Sequence, residues 1–161
     1  MPVIIREISE SEIYFLDDML YQAIFIPEGI RKLPREIIYN PELHHYIKDF
    51  GRSDDYCLVA ESDGVLIGAI WSRIFSPYAK SYGWVDENTP EISMAVDEKY
   101  RNNGVGAKLL EAMIEKLKEI GYEKVSLSVD TVNFAYSLYK KFGFVDYELT
   151  DKSSVMIKKL K

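Results

Sequence analysis

One stretch of the sequence restricts the folding options more than any other. From Glu91 to Val96 the residues alternate, with Ile92, Met94 and Val96 on one face and Glu91, Ser93 and Ala95 on the other, the period-two pattern of a strand. From Ala107 to Ile120 the apolar residues Leu109, Leu110, Met113, Ile114, Leu117 and Ile120 line one side of a helix, and Gly121 supplies its C-terminal stop. Val125, Leu127 and Val129 then alternate with Ser126 and Ser128 in another strand. Strand, helix and strand in that order need a crossover, so strands 91–96 and 124–129 are predicted to run parallel within a mixed sheet.

The remainder reads as further elements of the same α/β domain, residues 1–161. Val3-Ile4-Ile5-Arg6 is a β-branched opening strand, and Ser9 or Ser11 is placed to cap a helix through Ile13, Leu16, Leu20 and Ile24. Pro27, Gly29 and Pro34 break the chain before a second helical stretch, roughly Arg35 to Phe50, interrupted at Asn40-Pro41. Strands from Tyr56 and from Val65 flank Ser62-Asp63-Gly64, a hairpin signal. Residues 75–90 carry Phe75, Tyr78, Tyr82 and Trp84 without a clear period, and read as an aromatic loop. Phe134, Leu138, Tyr139 and Phe142 predict a short helix closed by Gly143, and two last strands, 144–149 and 154–160, meet at Thr150-Asp151-Lys152.

Composition narrows the class. A chain of 161 residues with 47% hydrophobic and 29% charged side chains buries a core of its own and is too apolar for disorder. Its one cysteine, Cys57, excludes an internal disulfide framework and a cysteine-rich zinc module, and suits a reducing compartment. Pro2 and mixed charge after Met1 predict no signal peptide, and no apolar run approaches the roughly 20 residues of a membrane helix. The expected setting is therefore cytoplasmic, away from membrane. A net charge of −6 argues against nucleic acid as the main partner. That charge is uneven: residues 1–80 hold 8 basic and 13 acidic side chains, against 12 and 13 in residues 81–161. Solvated helix faces account for this, and so does a first half that attracts a cationic substrate.

Between the strand and the helix lies Tyr100-Arg101-Asn102-Asn103-Gly104-Val105-Gly106. Glycines let a backbone approach a ligand closely, and a helix N-terminus offers unpaired amides and a positive dipole end. Such a loop suits a phosphate group, and it also suits a plain tight turn. A dinucleotide fingerprint would need glycine or alanine where Leu109 stands, and a nucleotide P-loop would need Gly-Lys-Ser/Thr, so both are excluded.

Arg101-Asn102-Asn103-Gly104-Val105-Gly106 resembles the Arg/Gln-x-x-Gly-x-Gly/Ala signature of the GNAT superfamily of acyl-CoA-dependent N-acyltransferases. A second segment, from Asn133-Phe134-Ala135 through Leu138-Tyr139 to Gly143-Phe144, is similar to that family's Asn-x-Ala-x-x-Leu-Tyr-x-x-x-Gly-Phe. The likeness covers about residues 56–149, while the first 50 residues match only in element order. It implies a central mixed β-sheet with helices on both faces and a splay between strands 91–96 and 124–129, with the pantetheine arm of acetyl-CoA in the gap. The backbone of Met94, Ala95 and Val96 would hold that arm, with an N–H near Val96 polarising the thioester carbonyl. The amides from Asn102 and Asn103 through Gly104, Val105 and Gly106 to Ala107, with Arg101 beside them, would bind the pyrophosphate. Asn133 would contact the pantetheine or steady the next loop.

The resemblance further implies direct attack of a primary amine on the thioester, with Tyr139 as the acid that protonates the departing thiolate and Glu91 as a base. Read as residues alone, Tyr139 equally packs its ring in a core, and Glu91 equally sits at a solvated strand end. Ser93 occupies the position nearer the chemistry where the family often has a carboxylate, which leaves Glu91 to act through a water or another group to serve. His44 and His45 are adjacent and project about 100° apart on a helix, so no metal site is expected. Cys57 lies in an apolar strand and reads as a small buried hydrophobe. Arg73, Tyr78, Tyr82 and Trp84 shape an acceptor pocket, cover core or meet a second subunit, and a homodimer is among the expectations. An acetyltransferase acting on an amine (a polyamine, a lysine, another cationic amine or a protein N-terminus) is the leading reading. A non-catalytic acyl-CoA sensor or interaction module of the same fold is the alternative, since binding needs neither Tyr139 nor a base.

Overall fold

The computed structural model describes residues 2–161. β1 (Ile4–Glu7), β2 (Tyr56–Ser62), β3 (Val65–Arg73), β4 (Glu91–Val96), β5 (Lys124–Asp130), β6 (Val145–Leu149) and β7 (Ser153–Lys159) form one sheet in the order β1-β2-β3-β4-β5-β7-β6. β4 and β5 are its parallel pair; the other neighbours are antiparallel. This is the mixed sheet that the strand–helix–strand pattern requires.

Helices cover both faces. α3 (Val105–Ile120) lays Leu109, Leu110, Met113, Ile114 and Leu117 against Ile67, Ile70, Ile92, Val125 and Leu127. Those α3 side chains are the ones the helical period selects, and Gly121, at φ 109°, ends the helix in the left-handed conformation that glycine tolerates. On the opposite face α1 (Phe15–Ala23) packs Leu16, Met19 and Leu20 with Val59, Ala69, Trp71 and Ala95. β4 therefore divides its side chains between two cores, Ile92 toward α3 and Ala95 toward α1, as alternation demands. α4 (Ala135–Lys141) follows β5 and brings Tyr139 and Leu138 to the α3 side.

The first 50 residues depart from the expected helices. Ser9 opens only a three-residue 3-10 turn, Glu10–Glu12, where its amide donates to Glu12 Oε1 at 2.9 Å, and α1 begins later, at Phe15. The stretch from Arg35 to Phe50 is no single interrupted helix. It is a 3-10 turn, Arg35–Tyr39, then α2 (Pro41–His44), then turns. Pro41 has no amide to extend a helix from upstream. Downstream, Arg73 Nη1 donates to the carbonyls of His45 and Lys48 at 2.9 and 2.7 Å, so these acceptors serve a side chain on β3 rather than a helical ladder.

Candidate active site

β4 and β5 touch at a single register position, Glu91 opposite Ser126, braced by the Ser126 amide donating to the Pro90 carbonyl at 3.0 Å. Beyond that vertex the strands part. On its other edge β4 stays paired with β3 throughout, from Glu91↔Arg73 to Val96↔Gly68. The Asp97 amide donates to the Ile67 carbonyl at 2.7 Å, which fixes the alternation of the antiparallel ladder. Ala95 and Ser93 therefore spend their main-chain groups on β3, whereas those of Met94 and Val96 face the gap. Of the three consecutive residues implied to hold an extended ligand, two offer backbone to it. Ala95 offers only surface.

At the head of the gap the chain enters α3. Asn102 and Gly104 take positive φ, 64° and 78°, and turn the loop back on itself. Among the described residues no acceptor is paired with the amides from Asn102 to Ala107; the first bonded amide is Lys108, to the Gly104 carbonyl at 3.2 Å. These donors converge at the positive end of a 16-residue helix with no acidic residue in its first turn. Gly104 must be left-handed, and a Cβ there would meet nothing within 4 Å, so the space before the loop is open. Arg101 points elsewhere than at this cradle: its Nε donates to the Val96 carbonyl at 2.9 Å, tying the loop to the end of β4 and leaving the Val96 amide free. Asn133 Oδ1 accepts the Ala135 amide at 3.0 Å and so steadies the start of α4.

Tyr139, on α4, is buried with its ring 5.8 Å from that of Phe144. Burial alone pushes its phenol up to about 12. A cavity of about 1180 Å³ runs from the α3 amides past Met94, Val96 and Tyr139 to Glu91 and on to the α1 side, where Tyr21, Phe25, Leu43, Tyr46 and Tyr82 line it. It spans both ends of the site implied by the sequence motifs.

Glu91 is not a solvated strand end. It is 4% exposed and held by three donors: Tyr46 Oη at 2.8 Å on Oε2, and Ser81 Oγ and the Gly83 amide, the latter at 3.1 Å, on Oε1. Burial nevertheless outweighs these hydrogen bonds and pushes its carboxyl up to about 7. The loop from 75 to 90 is thereby fastened rather than loose; Phe75 and Ser81 are buried, while Tyr78 stays fully exposed. Arg73, read as a pocket or interface residue, instead forms a buried pair with Asp55 at 2.8 Å, each side chain 2% exposed. Cys57 is buried, and burial pushes its thiol up, away from nucleophilic reactivity. Tyr46, Ser81 and Gly83 carry no motif in the sequence. The signal that points to them is indirect: a buried carboxylate needs donors, and 75–90 is the segment that leads into it.

Residues 20–144 match the family model described as the acetyltransferase (GNAT) family. The chain belongs to the GNAT family. An N-alpha-acetyltransferase from Sulfurisphaera tokodaii is 37% identical over 95 residues, which cover 56% of this chain and 57% of that relative. Another, from Sulfolobus acidocaldarius, is 31% identical over 121 residues, or 73% and 70% of the two chains. This GNAT chain thus spans little more than half the length of the first of these relatives. Its fold is shared with PaiA N-acetyltransferase from Thermoplasma acidophilum in complex with coenzyme A, at TM-score 0.70 and 22% identity over 99% of both chains. It is shared as well with yncA of Salmonella typhimurium, solved with acetyl-CoA, at TM-score 0.71 and 18% identity over 100% and 95% of the chains.

Proposed function

We propose that this protein is an N-acetyltransferase that moves the acetyl group of acetyl-CoA directly to a primary amine, and that its acceptor is the α-amino group of a peptide or protein. The observation that carries the reading is the one-point contact of β4 and β5 below a helix N-terminus whose leading amides are unpaired. A gap edged by free strand amides suits an extended amide-bearing arm, and the amides from Asn102 to Ala107 suit its diphosphate. The acceptor class leans on the relatives named N-alpha-acetyltransferase. On the α1 side Phe25, Ile26, Ile30 and Leu33 line the cavity beside the charged Asp18, Glu28 and Lys32, and the apolar members offer contact to the first side chains of a peptide.

The donor, when bound, supplies a thioester carbon activated for transfer. This chain does the rest. Met94 and Val96 orient the arm through backbone groups, and the Val96 amide donates toward the acyl oxygen, where negative charge develops. An amine is mostly protonated near neutral pH and must lose a proton before it attacks. Glu91, poised near 7, takes that proton directly or through one water. Tyr139 stays protonated at any working pH and donates to the departing sulfur. Its raised pKa makes it a weak acid, so its contribution is a hydrogen bond that becomes a proton transfer only as thiolate charge builds.

The test offers acetyl-CoA with peptides bearing free N-termini, the same peptides with blocked N-termini and an internal lysine, and spermidine, while following thiol release. Turnover confined to free N-termini is the expected result. Turnover on lysine or spermidine alone would reject the acceptor, and absence of turnover with retained acetyl-CoA binding would favour the sensor.

A further inference from the structure

We infer that Tyr46 is a positioning residue for transfer, its phenol holding the Glu91 carboxylate toward the acceptor end of the cavity. This rests on the assignment of Glu91 as base. Tyr46 stands in the turns after α2, 45 residues before Glu91, yet its Oη donates to Glu91 Oε2 at 2.8 Å and accepts the Tyr82 amide at 2.9 Å. One hydroxyl thus joins three segments: the turns after α2, the loop before β4, and β4 itself.

Its placement is enforced from behind. Trp71 Nε1 donates to the Tyr46 carbonyl at 3.2 Å, and Arg73 grips the carbonyls of His45 and Lys48 on either side. Arg73 is in turn fixed by Asp55 through two bonds, Nε to Oδ1 at 3.0 Å and Nη2 to Oδ2 at 2.8 Å. The ring also lies against Phe75 and near-parallel to Tyr82, so the direction of its hydroxyl is set from several sides. The groups against Glu91 are Tyr46 from the turns after α2 and Ser81 and the Gly83 amide from the loop; Arg73, paired with Asp55, is its register partner on β3, and His45 and Tyr82 pack against the Tyr46 ring. β5 contributes only the uncharged Ser126, whose Oγ is buried without a partner. Burial and the Arg73 charge hold His45 below its ordinary value.

The experiment is the pH profile of kcat/KM for thiol release in the presence of a peptide acceptor, for the native chain, Tyr46→Phe and Glu91→Gln. Losing a donor to the charged form raises a carboxyl pKa, so Tyr46→Phe should move the acid limb up by on the order of one pH unit. The KM for acetyl-CoA should not change, because the donor cradle lies at the other end of the cavity. A purely structural Tyr46 would lower activity without moving the limb, and that result overturns the proposal. Glu91→Gln should lower kcat/KM and move the limb up to the acceptor amine's own ionisation, about 7.7–8.0 for an α-amino group. If it leaves the limb in place, the base assignment fails, and the role of Tyr46 falls with it. Should Tyr46→Phe not fold, 3-fluorotyrosine at 46 preserves shape and donates more strongly. It should then move the limb down, and an unmoved limb is again the overturning result.

Discussion

The two ends of the cavity are built by opposite means. The end proposed for the acetyl donor presents main chain: amides of Met94, Val96 and residues 102–107, contributed by a segment of fewer than twenty residues and aimed by the splay of β4 from β5. The end proposed for the acceptor presents side chains, and its bonds join residues far apart, Tyr46 to Glu91 and Tyr46 to Tyr82. Main-chain donors survive most substitutions, because every residue except proline carries one. A side-chain network fails when any member is lost, since the partner left behind stays buried and unpaired. The comparison teaches where the chain tolerates change. Its donor grip depends on backbone conformation and its acceptor wall on residue identity.

Tyr139 is the exception on the donor side, a single side chain with no backbone substitute, and it gives the largest expected effect. Tyr139→Phe keeps the ring against Phe144 and removes only the hydroxyl, so the fold and acetyl-CoA affinity should persist. Turnover should fall by roughly 10²- to 10⁴-fold, the range of a lost proton-transfer group. Single-turnover kinetics with a peptide acceptor check this, and an unchanged rate would leave Tyr139 as core packing.

The middle effect separates conformation from identity. At Gly104, φ of 78° places the amides, while a Cβ meets open space. Gly104→Ala should therefore cost about 1 kcal/mol of fold stability through the left-handed backbone and retain ligand binding. Gly104→Glu adds bulk and like charge in front of the cradle. At a hundredfold excess over Kd a ligand stabilises the native state by about 2.7 kcal/mol, and Gly104→Glu should erase that gain. Thermal melts with and without acetyl-CoA decide it. Equal shifts in both variants would place the diphosphate elsewhere.

The same contrast explains what could be read in advance. The order of strands, the crossover, the loop at 101–106 and the helix carrying Tyr139 follow from local period and spacing, so β3 through β7 were legible from the amino acids. The stretch 35–50 was not, because its conformation is set by Arg73, whose guanidinium takes carbonyls that a helical period would assign to the chain itself. Nor was the burial of Glu91. At the start of a strand a glutamate reads as a solvated end, and only tertiary structure brings Tyr46, Ser81 and Gly83 around it. Ala95 shows the limit at the scale of one residue: the motif marks the strand, and pairing with β3 decides which of its amides remain.

Glu91 yields the most gradual effect, spread over a pH window, and a direct measure of how tightly the acceptor wall is closed. Its carboxyl is raised from 4.5 to about 7 by burial. Between those values the native state binds a proton that the unfolded chain has released, so native stability falls as pH rises through this window. One such group contributes a slope of at most about 1.4 kcal/mol per pH unit. Glu91→Gln removes the titration, keeps an oxygen for the Gly83 amide, and should flatten the curve between pH 4.5 and 7 when denaturant midpoints are compared. Asp55 works in the opposite sense: Arg73 and the amides of Gly51 and Arg52 hold it below its usual range, so its contribution is lost only at lower pH and leaves this window clear. A native curve already flat from pH 4.5 to 7 would mean that three hydrogen bonds outweigh burial at Glu91. The carboxylate would then be ionised at any working pH, and a base that must hold and release a proton near neutrality would have to be sought outside the acceptor wall.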